Sequence, residues 1–166
     1  MSPDSSLVGL GSNLGEREQR LRAALAALGG GPGLRIARVS SVYESAPVGP
    51  VREQPAFLNL VVELRGELEP RALLGRLQQL ETALGRVRGW PQGPRAIDLD
   101  LLLCGERVAA WPELVLPHPE IGRRAFVLLP LLELEPELRD PRSGRPLFER
   151  LSAVRDQPVQ RRGSIA

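Results

Sequence analysis

The 166-residue chain is 42% apolar and 25% charged, and its 22 basic and 20 acidic residues leave a formal net charge of +2. This is the make-up of an ordinary soluble globular domain, without the basic excess of a nucleic-acid-coating surface and without an apolar run near the ~18 residues of a membrane span. A single cysteine and a single histidine exclude an intrachain disulfide framework and argue against zinc, so a reducing cytoplasm is the expectation; a monomer is expected as well.

The basic residues are all arginine. A phosphate loop of the Gly-x-x-x-x-Gly-Lys type is therefore impossible, and any phosphate must be met by guanidinium forks. Ser6 to Gly11 predicts a short strand, and Gly11-Ser12-Asn13-Leu14-Gly15 predicts a tight turn into a helix from Glu16 to Leu28. Gly29-Gly30-Gly31-Pro32 ends that helix. Leu34 to Tyr43 reads as one β-branched strand, Glu44 to Pro55 as a long loop with functional potential, and Phe57 to Leu64 as a third strand. On that strand Phe57, Asn59, Val61 and Glu63 share a mixed face suited to a ligand at its Phe57/Asn59 end.

Pro70 opens a second helix that runs to about Leu84, followed by a Gly/Pro-rich loop from Arg86 to Pro94 that has the composition of a lid. Arg95-Ala96-Ile97-Asp98-Leu99-Asp100 then leads into Leu101-Leu102-Leu103-Cys104, the clearest buried strand in the chain. Residues two apart on a strand share a face, so Asp98 and Asp100 point together with Cα atoms ~6.6 Å apart. Two carboxylates that close repel unless a cation, a proton or an Arg lies between them, and hard oxygen donors at this spacing suit Mg²⁺ held jointly with substrate phosphates. One further short strand is predicted within Val108 to Leu116, and a short helix interrupted by Pro130 from Phe126 to Leu134. The order strand-helix-strand-strand-helix-strand predicts an α+β, ferredoxin-like βαββαβ fold, an antiparallel sheet with helices on one face. A single domain is expected over residues 1–156, with a poorly ordered tail over 157–166.

Two loops, one before and one after the acidic strand, bring Arg86, Arg88, Arg95, His118, Arg123 and Arg124 toward it. Guanidinium groups around a two-carboxylate site are what transfer of a phosphoryl-type group requires. Two other classes use parts of the same equipment: a metal-dependent phosphodiesterase, and a ferredoxin-like RNA reader. The second lacks support, because the chain has three Phe, one Tyr and two Trp and no aromatic-Gly-aromatic strand signature.

In Gly9-Leu10-Gly11-Ser12-Asn13-Leu14-Gly15, Gln54-Pro55-Ala56-Phe57-Leu58-Asn59, Gly85-Arg86-Val87-Arg88, Gly93-Pro94-Arg95-Ala96-Ile97-Asp98-Leu99-Asp100-Leu101 and Leu116-Pro117-His118-Pro119 with Arg124-Ala125-Phe126, the chain resembles the 6-hydroxymethyl-7,8-dihydropterin pyrophosphokinases of folate biosynthesis. The resemblance implies transfer of the β,γ-diphosphate of ATP to the pterin hydroxymethyl group, with release of AMP. It implies that Asp98 and Asp100 hold two Mg²⁺ ions and that Arg86, Arg95, His118 and Arg124 act on the triphosphate. It adds Gln78, Glu81 and Arg88 as ATP-side residues. The pterin is expected between Phe57 and Phe126, with Asn59 and the stretch Ala46, Pro47 and Val48 on its polar edge.

Overall fold

A computed structural model describes residues 2–47, 49–51, 53–87 and 93–165. In chain order the elements are β1 (Ser5–Ser12), α1 (Arg17–Gly29), β2 (Arg35–Val39), β3 (Val42–Ser45), β4 (Phe57–Arg65), α2 (Pro70–Ala83), β5 (Asp98–Cys104), β6 (Ala109–Trp111), β7 (Leu114–Leu116), α3 (Ala125–Leu134), a 3₁₀ turn (Leu147–Arg150), α4 (Leu151–Val154) and β8 (Val159–Gly163). The main sheet runs β5-β1-β4-β3-β8, and β2 pairs with β4 beyond β3. Every pairing in it is antiparallel, as a ferredoxin-like βαββαβ arrangement requires.

The stretch expected as one strand from Leu34 to Tyr43 is two. Ser40 Oγ donates to the Ser41 carbonyl and accepts from the Val61 N–H, while Ser41 donates through both its N–H and its hydroxyl to Glu133. Short hydroxyl side chains compete with the ladder for backbone partners, and here they break it. Val108 to Leu116 likewise holds a two-stranded hairpin, Ala109–Trp111 against Leu114–Leu116, rather than one strand.

Alternation along the strands divides the core into two. Val8, Leu10, Leu60, Val62, Leu99 and Leu101 face α1 and α2, which contribute Leu21, Leu28, Leu73 and Leu77. Leu7, Val61 and Leu103 face the other way, against Val127, Leu128 and Leu131 of α3. The first two helices therefore share a face as expected, but the third covers the opposite one. Its sequence is apolar on nearly every side, so it needs a partner of its own. Pro130 does not interrupt it: the helix is continuous from Ala125 to Leu134, with Pro130 buried in the core.

The tail expectation also fails. Residues 159–163 form β8, in register with β3 from Val42↔Gly163 to Ser45↔Val159, and Ile165 is buried in the α1/α2 core. The segment is polar and carries no local strand signal. What orders it is the open edge of β3, whose N–H and C=O groups need partners.

Candidate active site

On the α3 face of the sheet lies a cavity of about 130 Å³. Its floor comes from three adjacent strands at two levels. Gly11 of β1 pairs with Asn59 of β4 on one side and Asp98 of β5 on the other; Gly9 pairs with Val61 and Asp100. Strands are spaced ~4.8 Å apart, so the Asn59 and Asp98 backbones stand ~10 Å from each other across a strip without side chains. Ser45, Ala46 and Gln54 wall the cavity on the Asn59 side, Arg95 lies near the acids, and Arg124, Phe126 and Val127 roof it from the start of α3.

Asn59 is buried, and its Nδ2 donates to the Tyr43 carbonyl at 3.2 Å and to Ser45 Oγ at 2.9 Å. Both donor contacts are internal. Its Oδ1 lies toward the floor, where a Cβ added to Gly11 would come within 3.3 Å of it. The amide thus offers a ligand an acceptor.

Asp98 is held from both sides. Arg86 Nη1 donates to its Oδ1 at 2.6 Å and Arg95 Nη1 to its Oδ2 at 2.5 Å. Arg86 Nη1 also reaches Glu81 Oε1 at 2.5 Å, and the same Glu81 oxygen accepts the Leu99 N–H at 2.7 Å. Since β5 is a sheet edge, Glu81 supplies the acceptor that a neighbouring strand otherwise would. Burial raises the Glu81 carboxyl above its ordinary range, against the pull of the Leu99 N–H and Arg86. Asp100 is pushed up to about 7, first by burial and then by the negative charges of Asp98 and Glu81. A carboxylate in that position favours a cation beside it. Among the described residues no three His, Cys, Asp or Glu side chains gather as a metal cage, so a divalent ion here would need its remaining ligands from elsewhere.

The position of Arg95 is set by the turn after β1. Asn13 Oδ1 accepts the Arg95 N–H at 2.7 Å, the Asn13 N–H donates to the Arg95 carbonyl at 3.1 Å, and Ser12 Oγ donates to the Ala96 carbonyl at 2.6 Å. Asn13 Nδ2 then reaches Gln54 Oε1 and the Pro55 carbonyl. One buried asparagine therefore fastens the Arg95 loop to the loop that walls the cavity.

His118 is tied to β5 through its N–H, which donates to the Leu102 carbonyl at 2.9 Å. Its Nδ1 accepts the Glu120 N–H at 3.1 Å, which leaves Nε2 to carry the proton of the neutral ring. Burial, then the positive charge of Arg124, lowers its pKa. The Arg124 guanidinium lies 5.8 Å from the centre of the Phe126 ring.

A family model described as 7,8-dihydro-6-hydroxymethylpterin-pyrophosphokinase matches residues 7–136. The chain belongs to this pyrophosphokinase family. It is 46% identical over 154 residues to the 2-amino-4-hydroxy-6-hydroxymethyldihydropteridine pyrophosphokinase of Pseudomonas aeruginosa, covering 93% of this chain and 94% of that protein. It is 44% identical over 127 residues to the Bacillus subtilis protein of the same name, covering 76% and 75%. Among solved structures it resembles an HPPK-DHPS in complex with substrates, at TM-score 0.70 and 13% identity over 90% of this chain and 43% of that one. A Plasmodium falciparum HPPK-DHPS with pteroate gives TM-score 0.71 and 15% identity over 95% of this chain and 46% of that one. The chain thus spans less than half of either solved chain, and at these identities the likeness is one of fold.

Of the residues expected from the pyrophosphokinase resemblance, Ala46, Phe57, Asn59, Arg95, Asp98, Asp100, Arg124 and Phe126 all line the one cavity. Arg86 and Glu81 join it through Asp98. His118 stands beside it, where it feels Arg124 and Asp98. Pro47 is half-buried next to Ala46, and Gln78 is exposed on α2 outside the cavity. Val48 and Arg88, and with Arg88 most of the expected lid, lie outside the described residues. Gly9, Ser45 and Gln54 also line the cavity, and Asn13 braces it, without being expected from the sequence. Gly9 and Gly11 did leave a signal, two glycines two apart on a strand; Asn13 and Gln54 matched the family motif but looked like turn and loop chemistry.

Proposed function

We infer that this chain transfers the β,γ-diphosphate of ATP to the hydroxymethyl oxygen of 6-hydroxymethyl-7,8-dihydropterin in folate biosynthesis. A bond forms between that oxygen and the β-phosphorus, the bond from the β-phosphorus to the bridging oxygen breaks, and AMP leaves while the hydroxyl proton is released. The observation that carries the reading is the register across β4, β1 and β5. It sets a recognition amide, Asn59, and a carboxylate pair, Asp98 and Asp100, on opposite sides of a glycine strip.

In this reading the pterin ring lies between Phe57 on the sheet and Phe126 on α3, where offset stacking favours a flat heterocycle. Asn59 Oδ1 accepts an N–H from the pterin edge, with Ser45 and the backbone near Ala46 and Pro47 alongside. Asp98 and Asp100 would hold Mg²⁺, two ions, which when bound neutralise phosphate oxygens and ease loss of the hydroxyl proton. The fit rests on the donor chemistry: two hard carboxylates on one strand face, one of them raised toward neutrality by burial and then by its neighbours' charge. Arg86 and Arg95 each use one nitrogen on Asp98 and keep further N–H donors for phosphate oxygens. Arg124 and the His118 Nε2–H add positive field and a donor where charge develops during transfer. Gln78, Glu81 and Arg88 are assigned to the ATP side. Glu81 acts there by holding Arg86 in place.

The protein is taken to act as a monomer in the cytoplasm, in keeping with its one buried cysteine, Cys104. No helix among the described residues is long and apolar enough to cross a membrane. The test is formation of AMP from ATP with and without the pterin and Mg²⁺. AMP only when both are present supports the assignment. AMP without pterin points to a phosphodiesterase, and no AMP under any condition rejects both enzymes.

A further inference from the structure

The family match ends at residue 136, yet the start of α3 is held by a residue beyond it. Arg124 is the N-cap of that helix and makes no side-chain capping bond. The first N–H groups of a helix have no partner within it and need one from outside. Gln157 supplies it: its Oε1 accepts the Ala125 N–H at 2.9 Å, and its Nε2 donates to the Arg123 carbonyl, also at 2.9 Å. With both ends of the amide used, the side chain brackets the Arg124 residue from either side. Arg124 and Phe126 are the residues that roof the cavity at this point.

Two residues further on, the same segment enters the sheet. Val159 pairs with Ser45, whose hydroxyl receives the Asn59 amide. Residues 157–159 thus touch both sides of the cavity, the start of α3 and the strand end beside Asn59.

We propose that Gln157 is a positioning residue of this enzyme, setting Arg124 and Phe126 against the substrates from outside the region that matches the family model. The inference rests on the proposed assignment of Phe126 to the pterin and Arg124 to the transferring diphosphate. A backbone fixed by two hydrogen bonds places both side chains; with the bonds gone, the ring stacks less well and the guanidinium meets the developing charge less often. The first loss is one of pterin binding and the second one of turnover, because an interaction made mainly in the transition state is read in kcat.

The variants are Gln157→Met, which keeps length and packing but makes neither bond, and Gln157→Glu, which keeps an acceptor for Ala125 and loses the donor to Arg123. For Gln157→Met the expectation is a fall of about tenfold in kcat and a rise of about fivefold in KM for the pterin, with KM for ATP within about twofold of wild type. Gln157→Glu should fall between. Amide exchange at Ala125, followed by NMR, should quicken in Gln157→Met while the sheet stays protected. Three results overturn the proposal: Gln157→Met matching wild type in kcat and pterin KM; a loss of kcat that vanishes once corrected for the folded fraction; or quickened Ala125 exchange with unaltered kinetics. A wild-type protein that makes no pterin-dependent AMP fails the functional assignment instead, and the two failures are told apart by that control.

Discussion

Asn59 and Asp98 stand at one level of the sheet on either side of Gly11, each paired with it in the ladder. The spacing between this amide and this carboxylate is therefore set by two backbone ladders, and the absence of a side chain at Gly11 keeps the space between them open. A Cβ at Gly11 would lie 3.3 Å from Asn59 Oδ1 and 3.8 Å from the Phe57 ring. Gly11→Ala should therefore push the amide aside, and we expect pterin affinity to fall by about tenfold with a melting temperature close to wild type. Calorimetric titration with pterin, beside a thermal melt, checks both halves. Unchanged affinity would mean the ligand does not use this floor.

Asn59→Ala removes the acceptor itself. Loss of a buried partner to a ligand's polar edge costs about 1–3 kcal/mol, which is a weakening of roughly 5- to 150-fold in pterin binding. ATP binding should stay within about twofold, since the residue lies at the far side of Gly11 from the acids. Equal losses for both ligands would make Asn59 a structural residue that only braces Tyr43 and Ser45.

Asp98→Ala and Asp100→Ala should each reduce turnover by at least about tenfold while leaving pterin affinity near wild type, because charge stabilisation of a transferring phosphoryl group is expressed in the transition state. Initial rates of AMP formation across a Mg²⁺ titration give the result. Wild-type turnover of either variant at saturating Mg²⁺ would remove that aspartate from the proposed metal site. Asp98→Ala carries a second consequence, for it also frees Arg86 and Arg95 from the carboxylate that orients them. Its loss should exceed that of Asp100→Ala.

Acid stability should depend on a carboxylate far from this chemistry. Burial alone would raise Glu63, but hydrogen bonds from Ser5, Arg38 and Arg65 outweigh it and hold its pKa down at about 2. A folded-state value below the ordinary one stabilises the fold above pH ~4.5, and the contribution is lost as pH falls toward ~2. Allowing for the solvent-exposed arginines, it amounts to about 2–3 kcal/mol at neutral pH. Denaturant unfolding at pH 7 and pH 3 should show a little over half of that contribution lost in the wild type, about 1–2 kcal/mol, and much less in Glu63→Gln. A variant as acid-sensitive as wild type would assign the effect to other groups.

The elements that carry the chemistry were legible because their signals are local. Asp98 and Asp100 alternate with Ile97, Leu99 and Leu101, and alternation along a strand decides which side chains share a face before any partner strand is known. The same holds for the mixed face of Phe57, Asn59, Val61 and Glu63, and for the helix that Pro70 opens. The break at Ser40 and Ser41 was not legible, since a hydroxyl that competes for the Val61 N–H reveals itself only once β4 is alongside.

By itself, then, the sequence determined the succession of the main strands and helices from β1 to β5, the acidic strand and its pairing with arginine-bearing loops, for these follow from periodicity and residue type within a few positions. Only the tertiary structure decided that Gly11 separates Asn59 from Asp98, that Asn13 fastens Arg95, that α3 lies on the opposite face from α1 and α2, and that residues 157–163 close the sheet instead of trailing away. Each of those joins groups distant along the chain. A hydrogen bond of that kind depends on where two backbones meet, and that is fixed by register and packing rather than by the residues on either side of the donor.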